Sequence, residues 1–208
     1  EGLEGELPPV YVDIHGGPEE SASTEYNTSV QFWTTRGVAV LAVDFPGSTR
    51  YGRAYRDKLI GQWGVVDRIA ARALLRSVRW DVDVNHAVIG GWSGGGYTAL
   101  NEMTHEDSPF AGAIAGASIA NLIRLAEDTG GFEGGNVETL VGNREDVALW
   151  ESRSPWFQRQ NIKKPILFLH GEDDGVTPCG QIKQMERELF EQGVPVASFF
   201  PEDEQHGF

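Results

Sequence analysis

The chain has 208 residues, and its 17 lysines and arginines stand against 31 aspartates and glutamates, which gives a formal net charge of −14. A chain of this length can bury one sizeable core. Apolar residues make up 40% of the chain and charged residues 23%, and these ordinary proportions exclude wholesale disorder. The negative charge and the scattered cations exclude a nucleic-acid-binding surface and disfavour an anionic membrane, while the apolar runs are too short for a spanning helix.

Predicted strands and helices alternate along the chain. Short apolar runs rich in valine, isoleucine and phenylalanine indicate buried strands, and segments with helical spacing lie between most of them. This alternation predicts an α/β fold, with a mostly parallel central sheet and helices on both faces. The predicted strands are Val10–Ile14, Val38–Val43, Ala87–Gly90, Ala111–Ala115, Ile166–Leu169 and Val196–Phe200, and the predicted helices are Asn27–Thr35, Val65–Val78, Tyr97–Met103 and Gln181–Gln192.

The helix predicted at 65–78 carries an apolar stripe. Residues recur there at helical spacing and are expected to face the core. They are Val66, Ile69, Ala73, Leu74 and Val78.

Residues 116–164 interrupt the alternation. A long irregular insertion in a compact domain is uncommon unless it is functional, so we expect a cap-like excursion near the carboxyl edge of the sheet. The alternative is a run of short helices that the sequence pattern does not reveal. Since the first strand begins at Val10 and the chain stops two residues after His206, without a closing helix, we expect residues 1–208 to be one catalytic domain of a longer polypeptide.

The strongest local motif is Gly91-Trp92-Ser93-Gly94-Gly95, a G-x-S-x-G pattern between a predicted strand and a predicted helix. Glycines on both sides allow the backbone to turn sharply and leave the serine hydroxyl exposed. This context predicts Ser93 as a nucleophile, with the backbone N–H of Gly94 as one donor to an oxyanion. An incidental serine in a glycine-rich turn is the alternative.

A serine nucleophile needs a base, and histidine is suited to moving protons near neutral pH. The chain has five histidines. The chain order Ser, Asp, His that α/β-hydrolases use selects the last of them, His206. His86 and His105 are expected to be structural or exposed, and His170 ends an apolar strand.

The acid that orients this histidine is expected after the strand Ile166–Leu169. Glu172, Asp173 and Asp174 lie there, the order favours the aspartates, and spacing does not separate the two. A second glycine turn, His15-Gly16-Gly17-Pro18, follows the first strand and can direct backbone N–H groups at an oxyanion.

Together these blocks resemble the catalytic domain of the prolyl oligopeptidase family of serine peptidases, in its acylaminoacyl-peptidase and dipeptidyl-aminopeptidase branch. The resemblance implies the α/β-hydrolase fold, and it implies Asp174 as the catalytic acid and the N–H of Gly17 as the second oxyanion donor. It also implies an N-terminal β-propeller in the same polypeptide. The blocks are His15–Pro18, Gly47–Arg53, Gly61–Gly64 with Val65–Asp67, Gly91–Tyr97, His170–Pro178 and His206–Phe208.

We therefore expect a serine peptidase that acts on short peptides through an acyl-enzyme on Ser93, with no cofactor or metal and without nucleic-acid or membrane partners. A carboxylesterase of the same fold and a non-catalytic binding module are the alternatives. Glu19 and Glu20 follow the glycine turn. They either face a cationic substrate amine or form a solvated acidic turn, and the solvated turn is the favoured alternative. A lone cysteine, Cys179, and the absence of a visible signal peptide favour a cytoplasmic location, while the oligomeric state stays open.

Overall fold

The computed structural model describes residues 6–128 and 131–208 and contains a six-stranded sheet in the order β2-β1-β3-β4-β5-β6. Every neighbouring pair of these strands is parallel. The strands are β1 (Pro9–Ile14), β2 (Ala39–Val43), β3 (Asp83–Trp92), β4 (Gly112–Gly116), β5 (Ile166–Leu169) and β6 (Val196–Phe199). The predicted parallel sheet is confirmed.

Helices cover both faces of the sheet. On β1, Val10, Val12 and Ile14 are buried on one face, while Tyr11 points to the other and stacks on Trp33 at 5.3 Å between ring centroids. The helices are α1 (Thr28–Thr34), α2 (Arg53–Arg56), α3 (Val66–Ser77), α4 (Gly94–Met103), α5 (Leu122–Asp128), α6 (Gly131–Val141), α7 (Val147–Arg153), α8 (Pro155–Gln158) and α9 (Gly180–Glu191), with single 3₁₀ turns at Asp57–Leu59 and Arg159–Asn161. Among the described residues, no helix combines the length and the apolar character needed to cross a membrane.

The buried face of α3 differs from the predicted stripe. Ile69 is 52% exposed and Ala73 is also exposed. The buried face instead includes two charged side chains, Asp67 and Arg72. Asp67 accepts a hydrogen bond from Thr98, and Arg72 pairs with carboxylates of α4 and of the loop after it. These partners allow the two charged side chains to be buried. Val66, Leu74 and Val78 do pack against the core, so the predicted stripe is wrong at Ile69 and Ala73 only.

Residues 116–164 form the short helices α5 to α8, so the expected irregular conformation is wrong and the alternative of short helices is correct, although part of the region does lie at the carboxyl edge of the sheet as predicted. Trp150 and Leu122 are fully buried, which makes this region part of the core. Positions 129 and 130 within it lie outside the described residues. Val137 and Leu140 of α6 border the site described next.

Candidate active site

Ser93 lies at a sharp turn between β3 and α4. Its φ of 56° and ψ of −119° place a non-glycine residue in a conformation that costs free energy, a feature that clusters at functional sites. A Cβ on Gly91 or on Gly95 would stand only 2.2 or 2.0 Å from the carbonyl oxygen of Ile14. The turn therefore closes tightly on the end of β1, and the Ser93 side chain is left half-buried at the carboxyl edge of the sheet.

The structure brings Asp174 and His206 together. Asp174 follows β5, His206 follows β6, and these parallel strands are neighbours whose carboxyl ends lie at one edge. Nδ1 of His206 lies 2.9 Å from Oδ2 of Asp174. Because a carboxylate accepts, Nδ1 carries the hydrogen and Nε2 is left as the basic nitrogen.

The Asp174 carboxylate is buried and surrounded by donors. The backbone N–H groups of Val176 and Thr177 donate to Oδ1 at 2.8 and 2.9 Å, and the Thr177 hydroxyl donates to Oδ2 at 2.9 Å. Burial by itself would raise the pKa of Asp174, but these donors and His206 together hold the pKa below its ordinary value. The group is therefore an anion near neutral pH.

The other two acidic candidates face elsewhere. Glu172 forms an ion pair with Lys183 of α9. Asp173 is exposed, and its backbone N–H donates to the carbonyl of Glu204 at 3.0 Å. Of the three carboxylates, only Asp174 contacts His206.

The segment that carries His206 is held beside Ser93. The indole N–H of Trp92, the residue before Ser93, donates to the backbone carbonyl of His206, and Phe208 packs edge-on against the same indole at 5.2 Å. Ser93 and His206 form no hydrogen bond with each other in the described part of the chain. Such catalytic contacts are often long in unliganded enzymes and shorten when substrate binds.

The glycine turn after β1 packs against Ser93. A Cβ on Gly16 would lie 3.6 Å from Cβ of Ser93, and Gly17 has a positive φ of 40°. Pro18 follows directly and lies against Gly94, at 3.4 Å from a Cβ built there. The two predicted donors, the N–H groups of Gly17 and Gly94, thus belong to segments that pack on each other at the serine.

His15 supports this turn instead of offering a free base. Its Nδ1 donates to the Gly16 carbonyl at 2.9 Å, so its Nε2 accepts from the Ser48 hydroxyl at 2.6 Å. The ring also stacks on Phe45 at 4.5 Å. Both nitrogens are therefore occupied.

A cavity of about 230 Å³ opens next to Ser93, Gly17 and Gly94. Its walls are mainly apolar, which suits an uncharged side chain or acyl group. The apolar walls are formed by Pro18, Trp63, Ile119, Leu125, Val137, Leu140 and Val176. Residues of α5 and α6 contribute three of these walls, so this region helps to form the site.

The remaining histidines lie in different places. His86 is near the start of β3, where its exposed ring pairs with Asp83, and His105 follows the far end of α4. His170, which sequence reasoning passed over, is fully buried and contacts Asp174. Its signal in the sequence was its position, at the end of a strand and four residues before the acid.

Trp92 and Thr177 were also missed. Both belong to the recognised motifs, but their contacts to His206 and Asp174 depend on tertiary structure. The described residues contain no cluster of three or more His, Cys, Asp or Glu side chains arranged to hold a metal ion.

Known proteins resemble the chain over nearly all of its length. The sequence model of the prolyl oligopeptidase family matches residues 24–208. Dipeptidyl aminopeptidase BIII of Pseudoxanthomonas mexicana is 29% identical over 208 residues, covering 96% of this chain and 30% of that protein. Acylamino-acid-releasing enzyme 1 of Oryza sativa subsp. japonica is 27% identical over 212 residues, covering 96% of this chain and 27% of that protein.

Solved structures share the same fold. The structure of a puromycin-hydrolyzing peptidase of Mycobacterium tuberculosis superposes with a TM-score of 0.94 at 37% identity, covering 99% of this chain and 32% of that one. The chain thus spans about a third or less of the length of these relatives.

Proposed function

The chain belongs to the prolyl oligopeptidase family of serine peptidases, as its motifs predicted, and from this premise we propose that it cleaves short peptides through an acyl-enzyme on Ser93. The observation that carries the proposal is the Asp174–His206 hydrogen bond of 2.9 Å, at the sheet edge where Ser93 occupies its strained turn. We assign Ser93 as nucleophile, His206 as base and Asp174 as the orienting acid. The backbone N–H groups of Gly17 and Gly94 are the oxyanion donors.

Acylation follows from this geometry. Oγ of Ser93 attacks the carbonyl carbon of the scissile bond while Nε2 of His206 takes the hydroxyl proton. The carbonyl oxygen becomes an oxyanion that the N–H groups of Gly17 and Gly94 stabilise. His206 then passes its proton to the leaving amine, the C–N bond breaks, and the acyl group stays on Ser93.

Deacylation repeats the proton transfers with water. His206 takes a proton from water as it attacks the acyl carbon, and returns it to Oγ of Ser93 when the carboxylic acid leaves. Throughout, Asp174 stays ionised and stabilises the imidazolium, in keeping with the lowered pKa of its carboxyl. The catalyst returns to its starting state, and one water is consumed for each bond cleaved.

The substrate class follows from the cavity and the names of the relatives. The apolar walls beside Ser93 fit an uncharged side chain before the scissile bond. Relatives are named as a dipeptidyl aminopeptidase and as an acylamino-acid-releasing enzyme. We therefore propose peptides cleaved near their amino terminus, of the acylaminoacyl or dipeptidyl type.

We also propose that residues 1–208 are the catalytic domain of a longer, cytoplasmic protein with a β-propeller in the same chain. The greater length of the relatives supports an additional domain, and the single cysteine supports a reducing compartment. The mass of the native protein and cell fractionation test these two points.

The test compares an amide with an ester on the full-length protein. N-acetyl-alanyl 4-nitroanilide and the matching N-acetyl-alanyl ester are assayed with the wild type, with Ser93→Ala and with the matched control Ser77→Ala on the distant helix α3. We expect turnover of the amide by the wild type and the control, and none by Ser93→Ala. Turnover of the ester alone would contradict the peptidase and favour an esterase, because amide cleavage needs protonation of a poor leaving group. Full activity of Ser93→Ala would refute the nucleophile.

A further inference from the structure

His170 is a second histidine on the catalytic carboxylate. Its Nε2 lies 2.6 Å from the carbonyl oxygen of Thr177 and 3.2 Å from Oδ2 of Asp174. The ring is fully buried, as is the Asp174 side chain. The mechanism proposed above uses His206 alone, so this contact has no role in it.

The hydrogen on the His170 ring can be placed from its partners. The Thr177 carbonyl only accepts, so Nε2 must donate. Nδ1 then carries no hydrogen, and it has no hydrogen-bond partner among the described residues. Placing a second proton on Nδ1 would create a buried cation with an unsatisfied donor, so the ring is held neutral in a single tautomer.

Charge around the ring agrees with this state. Burial lowers the pKa of His170, although the Thr177 carbonyl and the Asp174 carboxylate oppose the shift and the charge of His206 adds to it. The Cys179 thiol, whose pKa burial raises to about 11, also lies near Asp174 and adds no charge at neutral pH. His170 therefore faces the carboxylate as a neutral ring near neutral pH.

We propose that His170 is a positioning residue whose Nε2–H is held by the Thr177 carbonyl and, at 3.2 Å from Oδ2 of Asp174, fixes the carboxylate opposite His206 and limits how strongly its charge acts on that imidazole. The inference rests on the proposed function and deepens it. The Val176 and Thr177 N–H groups donate to Oδ1, whereas Oδ2 accepts from the Thr177 hydroxyl and His206 and lies 3.2 Å from Nε2 of His170. Loss of His170 thus changes the surroundings of Oδ2, which is the oxygen that His206 contacts.

The matched substitutions are His170→Leu, which removes the donor, and His170→Gln, whose amide nitrogen can stand where Nε2 stands. For His170→Leu we expect kcat to fall about tenfold with little change in KM, since the loop loses the hydrogen bond to the Thr177 carbonyl and Asp174 loses a polar N–H 3.2 Å from Oδ2. The acid limb of the kcat/KM profile should move to higher pH, because a carboxylate without this neighbouring N–H dipole favours protonated His206 more strongly. His170→Gln should restore both values. His86→Leu, at an exposed histidine–aspartate pair far from the site, should leave both unchanged.

A purely structural histidine would give a different pattern. If His170→Leu folds, as judged by near-ultraviolet circular dichroism, and keeps the wild-type kcat and acid limb, the inference is wrong. If His170→Leu does not fold, His170→Asn replaces it, because its shorter amide reaches the position of Nδ1 and not that of Nε2. Equal pH profiles of kcat/KM for His170→Asn and His170→Gln would then overturn the inference. A shift of the acid limb of that profile in His170→Asn alone would support it.

The proposed function fails in a separate way. A wild type that neither turns over substrate nor reacts at Ser93 with a fluorophosphonate contradicts the serine-peptidase mechanism, and the inference falls with it. A wild type that does both, with unchanged profiles in the donor-removing variant, contradicts the role of His170 alone.

Discussion

Gly171 controls how closely the loop at 170–177, which carries Asp174, approaches the segment that carries His206. A Cβ built on Gly171 would lie 2.3 Å from the carbonyl oxygen of Glu204 and 2.4 Å from that of Gln205. Ordinary contacts of a Cβ begin at 3.4 Å, so in Gly171→Ala the backbone before His206 must retreat by about 1 Å. Both neighbours are backbone atoms, which cannot rotate away as the end of a side chain can.

The retreat is expected to lengthen the 2.9 Å contact between His206 and Asp174. Misplacement of a catalytic group by about 1 Å can cost roughly 100-fold in rate, so we expect kcat of Gly171→Ala to fall by about that factor while KM changes little. The assay is hydrolysis of the peptide anilide under saturating and limiting substrate, with the melting temperature recorded for each variant.

Gly175→Ala is the matched control for this substitution. It adds the same methyl group to the same loop, but nothing lies within 4 Å of the added atom. We expect it to keep activity close to that of the wild type. A Gly171→Ala enzyme with wild-type kcat, or a Gly175→Ala enzyme that is equally impaired, would refute the argument from close packing.

Three further predictions concern other residues. Trp92→Phe keeps an aromatic ring beside Phe208 but removes the donor to the His206 carbonyl, so kcat should fall by about 2- to 10-fold; an unchanged kcat would contradict the anchoring role. Iodoacetamide applied to the native enzyme should leave activity unchanged, because Cys179 is buried and its thiol has a pKa of about 11; parallel loss of thiol and activity would overturn this. The ion pair with Arg72 lowers the pKa of Asp107 to about 2. The pair therefore stabilises the fold at pH values above the ordinary pKa of an aspartate, and this stabilisation is lost as the pH falls towards 2. The melting temperature of Asp107→Asn should therefore lie below that of the wild type at pH 7 and converge with it in acid, and a difference independent of pH would contradict this.

The sequence predicted the sheet well because its strands read as mainly apolar runs, including the edge strand β6, which is largely exposed. Ile166–Leu169 matches the observed strand to the residue, while β3 begins at Asp83, four residues before the predicted start, because three of those four residues are polar. Helix α4 likewise begins at Gly94, three residues earlier than predicted. Its glycines are not helix-breaking there, because close packing against neighbouring backbone requires them.

The parts that could not be predicted depend on contacts between distant residues. A count of apolar residues does not detect the buried charged positions of α3, such as Arg72, which pairs with Glu102. Spacing alone left Asp173 and Asp174 equivalent, and the resemblance to the family favoured Asp174, the carboxylate that contacts His206 in the structure. The contact of His170 with that carboxylate arises from the fold of the loop at 170–177, in which the side chains of His170 and Asp174 are both buried.

The most direct test of the account is intact-protein mass spectrometry after reaction with a fluorophosphonate, which forms a stable covalent bond with an activated serine. The account predicts one adduct on the native full-length protein, located on Ser93 by peptide mapping, and none after unfolding or in Ser93→Ala. Reaction should also slow sharply in His206→Ala, because the hydroxyl then lacks its base. An unmodified native protein, or an adduct on a different residue, would contradict the central claim that Ser93, His206 and Asp174 form a working catalytic group.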